Sequence, residues 1–325
     1  MLRDIARNLA DLAWPWRIAI GAALLFVVLY AMIGAPYYQS LLMSICMYVV
    51  LCSSWNVISG IAGYVSFGHV VFWGLGAYTT AILIVKLQLP WPLALVLSGI
   101  GTAAFAALIS YPILKLSGVY FAIAMLALAE AVQVLVSYSR GLTGGGGGIY
   151  LRPLVGTDLA FLLMGLLALG LVVLVYALQS TKLVQSLYAI SNNELASESI
   201  GIPTTRRKAQ ALIFSAFFPG LAGGIYILNT AFIDPKTAFD IGITLNIILM
   251  TVFGGIGTVL GPVIGPFVFM ALSETLWAQF PFVHRALLGV AIVLLVLFLP
   301  RGIMPALRMA AARLSSRRSV GMNAQ

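Results

Sequence analysis

The sequence predicts an all-α fold: a polytopic membrane helix bundle of about ten spans, with glycine-interrupted helices and a short helix in a polar central loop. Three observations carry this. Of the 325 residues, 62% are hydrophobic and only 8% charged, whereas a soluble domain carries about 25% charged residues. The mean hydropathy is +1.06. The apolar residues come in runs close to the ~20 residues that one bilayer crossing takes. A surface so poor in charge must face lipid over most of its area.

The runs fall at 18–34, 39–58, 67–86, 91–113, 118–137, 159–178, 209–228, 242–254, 260–278 and 285–300. Residues 1–17 form a polar N-terminal tail, 18–305 the transmembrane domain, and 306–325 a basic tail. No convincing small-residue cleavage site follows the first run, so it reads as a span and not as a signal peptide. An even number of spans puts both termini on one side. The tail residues Arg3, Arg7 and Arg17, the loop residues Lys182, Arg206, Arg207 and Lys208, and the C-terminal Arg301, Arg308, Arg313, Arg317 and Arg318 then share that side. Basic residues mark the cytoplasm, so both termini and the loop at 179–208 are expected there. This bias also accounts for the net charge of +9, and no nucleic acid is expected as a partner. Trp14, Trp16, Tyr37, Tyr38 and Trp91 stand at span ends, where interfacial aromatics gather. Cys46 and Cys52, six apart in one run, are badly placed for a disulfide and read as packed thiols.

The central loop contains "AISNNELASESIGIP", residues 189–203. Ser191 and Glu194 make an S-x-x-E capping box, with Ile190 and Leu195 as a hydrophobic staple around it. Gly201 is placed as the residue after the helix, and Pro203 blocks continuation. The predicted helix, 192–200, is only ~14 Å long and needs something to pack against. It either ties two spans together or docks a cytoplasmic partner through Leu195, Ala196 and Ile200, with Asn192, Asn193, Glu194 and Glu198 around them.

Two apolar segments are broken by glycine. Residues 59–78 hold Gly60, Gly63 and Gly68, and residues 252–266 hold Gly254, Gly255, Gly257 and Gly261. Loosened backbone at membrane depth is tolerable only where protein or a wet cavity satisfies it. One such segment on each side of the central loop points to two halves around a pathway. "GLTGGGGGIY", residues 141–150, reads as a flexible or tightly turned external loop. Few ionisable groups enter the apolar runs, chiefly His69, Glu130 and Glu274. Ser66, His69, Tyr120 and Asn246, polar groups on apolar spans, are the candidate pathway residues. There is no Walker motif, nucleophile elbow or cluster at metal-ligand spacing, so neither an enzyme nor a metal site is expected.

These motifs together resemble the permeases of branched-chain amino acid ABC importers, of the LivM type. "WNVISGIAGYVSFGHVVFWGLGAYTTA", "LSGVYFAIAMLALAEAV" with "LTGGGGGI", "AISNNELASESIGIP", "FSAFFPGLAGGIY" and "VFGGIGTVLGPVIGP" follow the family's order from Ser54 to Pro305. The resemblance implies a transport subunit of the bacterial inner membrane that pairs with a second permease, usually a different chain. It implies two cytoplasmic ATPases that hold ATP-Mg, a periplasmic substrate-binding protein, and no cofactor on this chain. It also makes residues 189–203 a coupling helix, with Ser191, Asn192, Asn193, Glu194, Leu195, Ala196, Glu198 and Gly201 meeting the ATPase. The family's basic stretch before the Asn-Glu pair is replaced here by "VQSLYAIS", and Met125 stands where Thr is common. The alternative class is an ATP-independent secondary carrier or channel for small amphipathic solutes.

Overall fold

The computed structural model describes residues 36–279 and Gly289. The predicted span at 18–34, that at 285–300 apart from Gly289, and both tails lie outside the described residues. Within them the regular structure is helical except for one pair of two-residue strands. Helix α1 is Pro36–Trp55, continued by a π-helical turn over Asn56–Ile61. Then come α2 (Val70–Val85), α3 (Trp91–Ile113) and α4 (Val119–Tyr138). The glycine-rich segment follows with α5 (Arg140–Thr143), a 3-10 turn (Gly145–Gly147) and β1 (Ile149–Tyr150). After α6 (Thr157–Leu178) the central loop holds α7 (Lys182–Asn192) and α8 (Glu194–Ser199). The second half has α9 (Thr204–Thr230), β2 (Phe232–Ile233), α10 (Pro235–Ala238), α11 (Ile241–Gly254) and α12 (Gly261–Gln279).

Among the described residues, six helical segments are long and apolar enough to cross a membrane: Tyr37–Ile61, Trp91–Ile113, Val119–Tyr138, Thr157–Leu178, Thr204–Thr230 and Pro235–Gly254. Val70–Val85 and Gly261–Leu276 are apolar but shorter. Their shortness has a local cause, since each follows a glycine break that takes up part of the crossing.

The core forms around α9, which lies against α2 and α3 and touches α1. Its Gly220, Ala222, Gly223 and Gly224 carry little or no side chain, so backbones can meet there. A Cβ at Gly223 would overlap the Trp73 carbonyl of α2, and one at Gly76 would overlap the Gly220 carbonyl. This is helix packing by small residues, the mode that works where burial of apolar surface gives no driving force. Trp55, Trp73, Phe72, Phe121 and Phe161 are fully enclosed.

The glycine run at one end is ordered, not loose. Thr143 Oγ1 donates to the Val136 carbonyl at 2.6 Å, and Gly144, Gly145 and Gly148 take positive φ. β1 then pairs antiparallel with β2, Ile149 opposite Ile233. A Cβ at Gly148 would overlap the Ile233 carbonyl. The run therefore joins the two halves at the end opposite the central loop.

The central loop differs from expectation in two ways. Residues 182–192 form an amphipathic helix, with Val184, Leu187 and Ile190 buried at three-residue intervals. Ser191 lies inside its last turn, so it caps nothing. The cap of α8 is Asn193, whose Oδ1 accepts from the Ala196 amide at 3.0 Å. The staple does not form either, since Ile190 is buried while Leu195 is 77% exposed. The predicted box fails because Ser191 is already committed to α7 and Glu194 is held by a cation elsewhere. The predicted stop holds: Gly201 has φ +87°, its amide donates to Glu198 O and that of Ile202 to Ser197 O, a Schellman motif. The cap assignment predicts that Asn193→Ala speeds amide exchange at Ala196 about fivefold, from loss of ~1 kcal/mol of capping. Ser191→Ala is expected to leave that exchange rate unchanged.

The candidate coupling site: a loop helix fastened to two glycine breaks

The first break runs from Ala62 to His69, between the π-helical turn and α2. Its backbone groups are satisfied by side chains. Trp55 Nε1 donates to Ser66 O at 2.9 Å, and the Ser66 amide donates to Ser59 Oγ at 3.1 Å. Ser59 Oγ donates to Tyr64 O at 3.0 Å. These bonds supply what water would otherwise give. The second break, Gly255 to Leu260, turns α11 into α12, with Gly255 at φ +120° and Gly257 at φ +74°.

The two breaks meet through Asn56. Its Oδ1 accepts from the Gly257 amide at 2.8 Å and its Nδ2 donates to Thr258 O at 2.9 Å. Gly60 permits the approach, since a Cβ there would lie 2.8 Å from Gly257 N. Asn56 opens the π-helical turn, a local widening often found at functional sites.

The central loop touches both breaks. Tyr188 of α7 donates to the Gly257 carbonyl at 3.1 Å. Ser191 lies against Gly63, where an added Cβ would come within 2.8 Å of Ser191 Oγ. Tyr188 and Ser191, three residues apart on α7, thus make the contacts to the two glycine breaks.

Beneath α8 lies a buried ion pair. Glu194 accepts from Lys208 Nζ and from the Tyr64 hydroxyl. Lys208 also donates to Tyr64 Oη at 2.9 Å and to the Leu114 carbonyl at the end of α3 at 3.2 Å. Its ammonium sits 4.5 Å from the centre of the Tyr64 ring. The Lys208 side chain is 3% exposed and that of Glu194 28%. Partial burial works against the Glu194 carboxylate, but the hydrogen bonds from Lys208 and Tyr64 outweigh it and hold its pKa below the ordinary value. A second tie is the hydrogen bond from Thr204 Oγ1 to Glu198. Glu194 and Glu198 are four apart and so share one face of α8. That face is tied down, and Ser197 between them is buried. Leu195 and Ile200 point away, 77% and 76% exposed.

Among the eight loop residues named from sequence, Glu194 and Glu198 therefore fasten the helix, Asn193 caps it, and Gly201 ends it. Asn192, Leu195 and Ala196 are exposed. The candidate pathway residues do not share one surface. Ser66 and His69 are fully buried along the first break, with His69 Nε2 3.2 Å from Ser54 Oγ. Asn246 lies on α11, partly buried, and Tyr120 is 73% exposed on α4. Gly68 admits the Met125 carbonyl, and Gly254 that of Gly261.

Residues 37–299 match the family described as branched-chain amino acid transport system / permease component. The chain belongs to this permease family. The permease is 26% identical to the high-affinity branched-chain amino acid transport system permease protein LivM of Salmonella typhimurium, in an alignment of 292 residues covering 80% of this chain and 68% of that protein. It is 27% identical to the Escherichia coli K12 protein of the same name, with the same coverage. No solved structure matches the permease significantly.

Lys208, Tyr64, Asn56 and Tyr188 are the permease residues that sequence reading missed. Lys208 had a legible signal. It shares a helix face with Thr204, Ala211, Leu212 and Ser215, all buried, so its position breaks an apolar stripe. Tyr64, Asn56 and Tyr188 act across the bundle, and spacing alone does not reveal such partners.

Proposed function

We propose that this chain is the transmembrane permease subunit of an ATP-driven importer for branched-chain or related hydrophobic amino acids. It sits in the bacterial inner membrane with ten spans over residues 18–305 and both termini in the cytoplasm. A second permease, two cytoplasmic ATPases carrying ATP-Mg and a periplasmic binding protein complete the machine. Helix α8 is the coupling helix. The observation that carries this reading is its two-sided build: Leu195 and Ile200 exposed outward, Glu194 held inward by Lys208 and Tyr64. An ATPase that grips the outer face pulls, through that ion pair, on the segment after Ile61 and on the start of α9. The contacts of Tyr188 and Asn56 carry the same motion to Gly257. Both glycine breaks then move with one loop, which is how ATP hydrolysis would drive alternating access. Ser66, His69, Tyr120 and Asn246 remain the proposed pathway groups.

The test is a cysteine at Leu195. Cys46 and Cys52 are buried, so background reaction is low. Leu195→Cys is expected to crosslink to the co-expressed ATPase in a yield that changes with ATP. A cysteine that stays freely labelled in the assembled complex, with uptake surviving deletion of the ATPases, would point instead to an ATP-independent carrier.

A further inference from the structure

The exposed face of α4 carries a group that lipid does not readily accept. Ile123, Ala127, Glu130, Val134 and Tyr138 are all exposed and recur at three- and four-residue intervals, so they form one stripe. Glu130 stands ~17 Å along the helix from Val119, near the middle of the crossing. The outward faces of α3 and α6 are different. They expose Val96, Ile100 and Leu108, and Leu162, Leu166 and Leu174, which hydrocarbon accepts. Glu274 of α12 takes a hydrogen bond from the Tyr37 hydroxyl. Among the described residues, Glu130 is the charged side chain left exposed in the middle of a crossing, where an ionisable group facing lipid is costly.

We propose that this stripe is the surface on which a second, different permease chain packs, one of its helices offering a hydrogen-bond donor or a cation to Glu130 at mid-depth. The inference rests on the permease pairing proposed above and adds its location. Ala127 and Ala131, both exposed on either side of Glu130, let a helix backbone come close at that depth. A second copy of this chain fits badly. A two-fold axis through the stripe would set one Glu130 carboxylate against the other, and like charges in such a site repel.

The experiment uses the full complex purified with its co-expressed transport subunits. Benzoylphenylalanine is placed at Ile123 or Val134, with Leu108 and Leu166 as controls on the apolar faces. Irradiation is expected to join the two stripe positions, and neither control, to a peptide of a different permease chain. Adducts to lipid alone, or to a second copy of this chain, while the other permease co-purifies would overturn the inference and leave the pairing intact. So would modification of Ala127→Cys in the assembled complex by a charged maleimide, which would mean that the stripe faces water. A complex that contains no second permease would overturn the pairing itself. As an independent measure, Glu130→Leu is expected to lower recovery of the second permease about tenfold, while Glu130→Gln, which keeps a hydrogen bond, largely preserves it. Equal recovery for wild type and Glu130→Leu would also overturn the inference.

Discussion

Replacing Lys208 by Met is expected to destabilise the loop end of the bundle by about 3 kcal/mol, because it leaves the Glu194 carboxylate partly buried without its cation. The Lys208 side chain is 3% exposed, so water cannot take its place there. Thermal unfolding of the purified protein would show this as a lower midpoint. The double variant Lys208→Met, Glu194→Leu removes both charges and should recover most of the loss. Transport should stay low in both, since the loop has lost its tie to Tyr64 and α9. If the single and double variants melt alike, the ion pair is not what holds α8. The pH dependence has a definite sign. The folded state holds the Glu194 pKa below its ordinary value of 4.5. Its contribution is complete above that ordinary value and is lost as the pH falls through the lowered one. The gap between wild type and Lys208→Met should therefore close in acid and stay open at neutral pH.

Gly254→Ala should be the most damaging single-methyl change in the second half. The new Cβ would overlap the Gly261 carbonyl oxygen, and Gly265 faces the Met250 carbonyl just as closely. Backbone cannot swing aside as a side-chain tip can, so α11 and α12 must separate. Overpacking of this kind costs about 1–3 kcal/mol or more. The effect should appear as a fall in folded protein recovered from the membrane. Gly101→Ala is the matched control. Its nearest neighbour would be Thr79 Cγ2 at 3.7 Å, and alanine is the better helix former by roughly 1 kcal/mol. That variant should be neutral or slightly more stable. Similar losses in both would mean that close approach is not what glycine provides at Gly254.

Much of the architecture was legible before any coordinates. Run length and hydropathy placed the helices of 91–113 and 118–137 to within a residue or so, because a span must be both long and apolar. Gly201 was legible as a helix stop because few residues other than glycine take its positive φ readily. The start of α8 was misread for a reason of competition. Ser191 and Glu194 have the spacing of a capping box, but each has a stronger use elsewhere. Val184, Leu187 and Ile190 extend α7 through Ser191 by burying an apolar face, and Glu194 gains more from Lys208 than from a backbone amide.

The division follows from the range of the forces involved. Composition, run length and charge bias act locally and add along the chain, so the sequence by itself determined an all-helical membrane bundle, broken by glycine, with a capped helix in its central loop. What that helix touches was decided only in the tertiary structure. Lys208 meets Tyr64 across 144 residues of chain, and Gly257 meets Asn56 across 201. A hydrogen bond or ion pair between such distant residues depends on how the helices pack in three dimensions, and spacing along the chain carries no record of it.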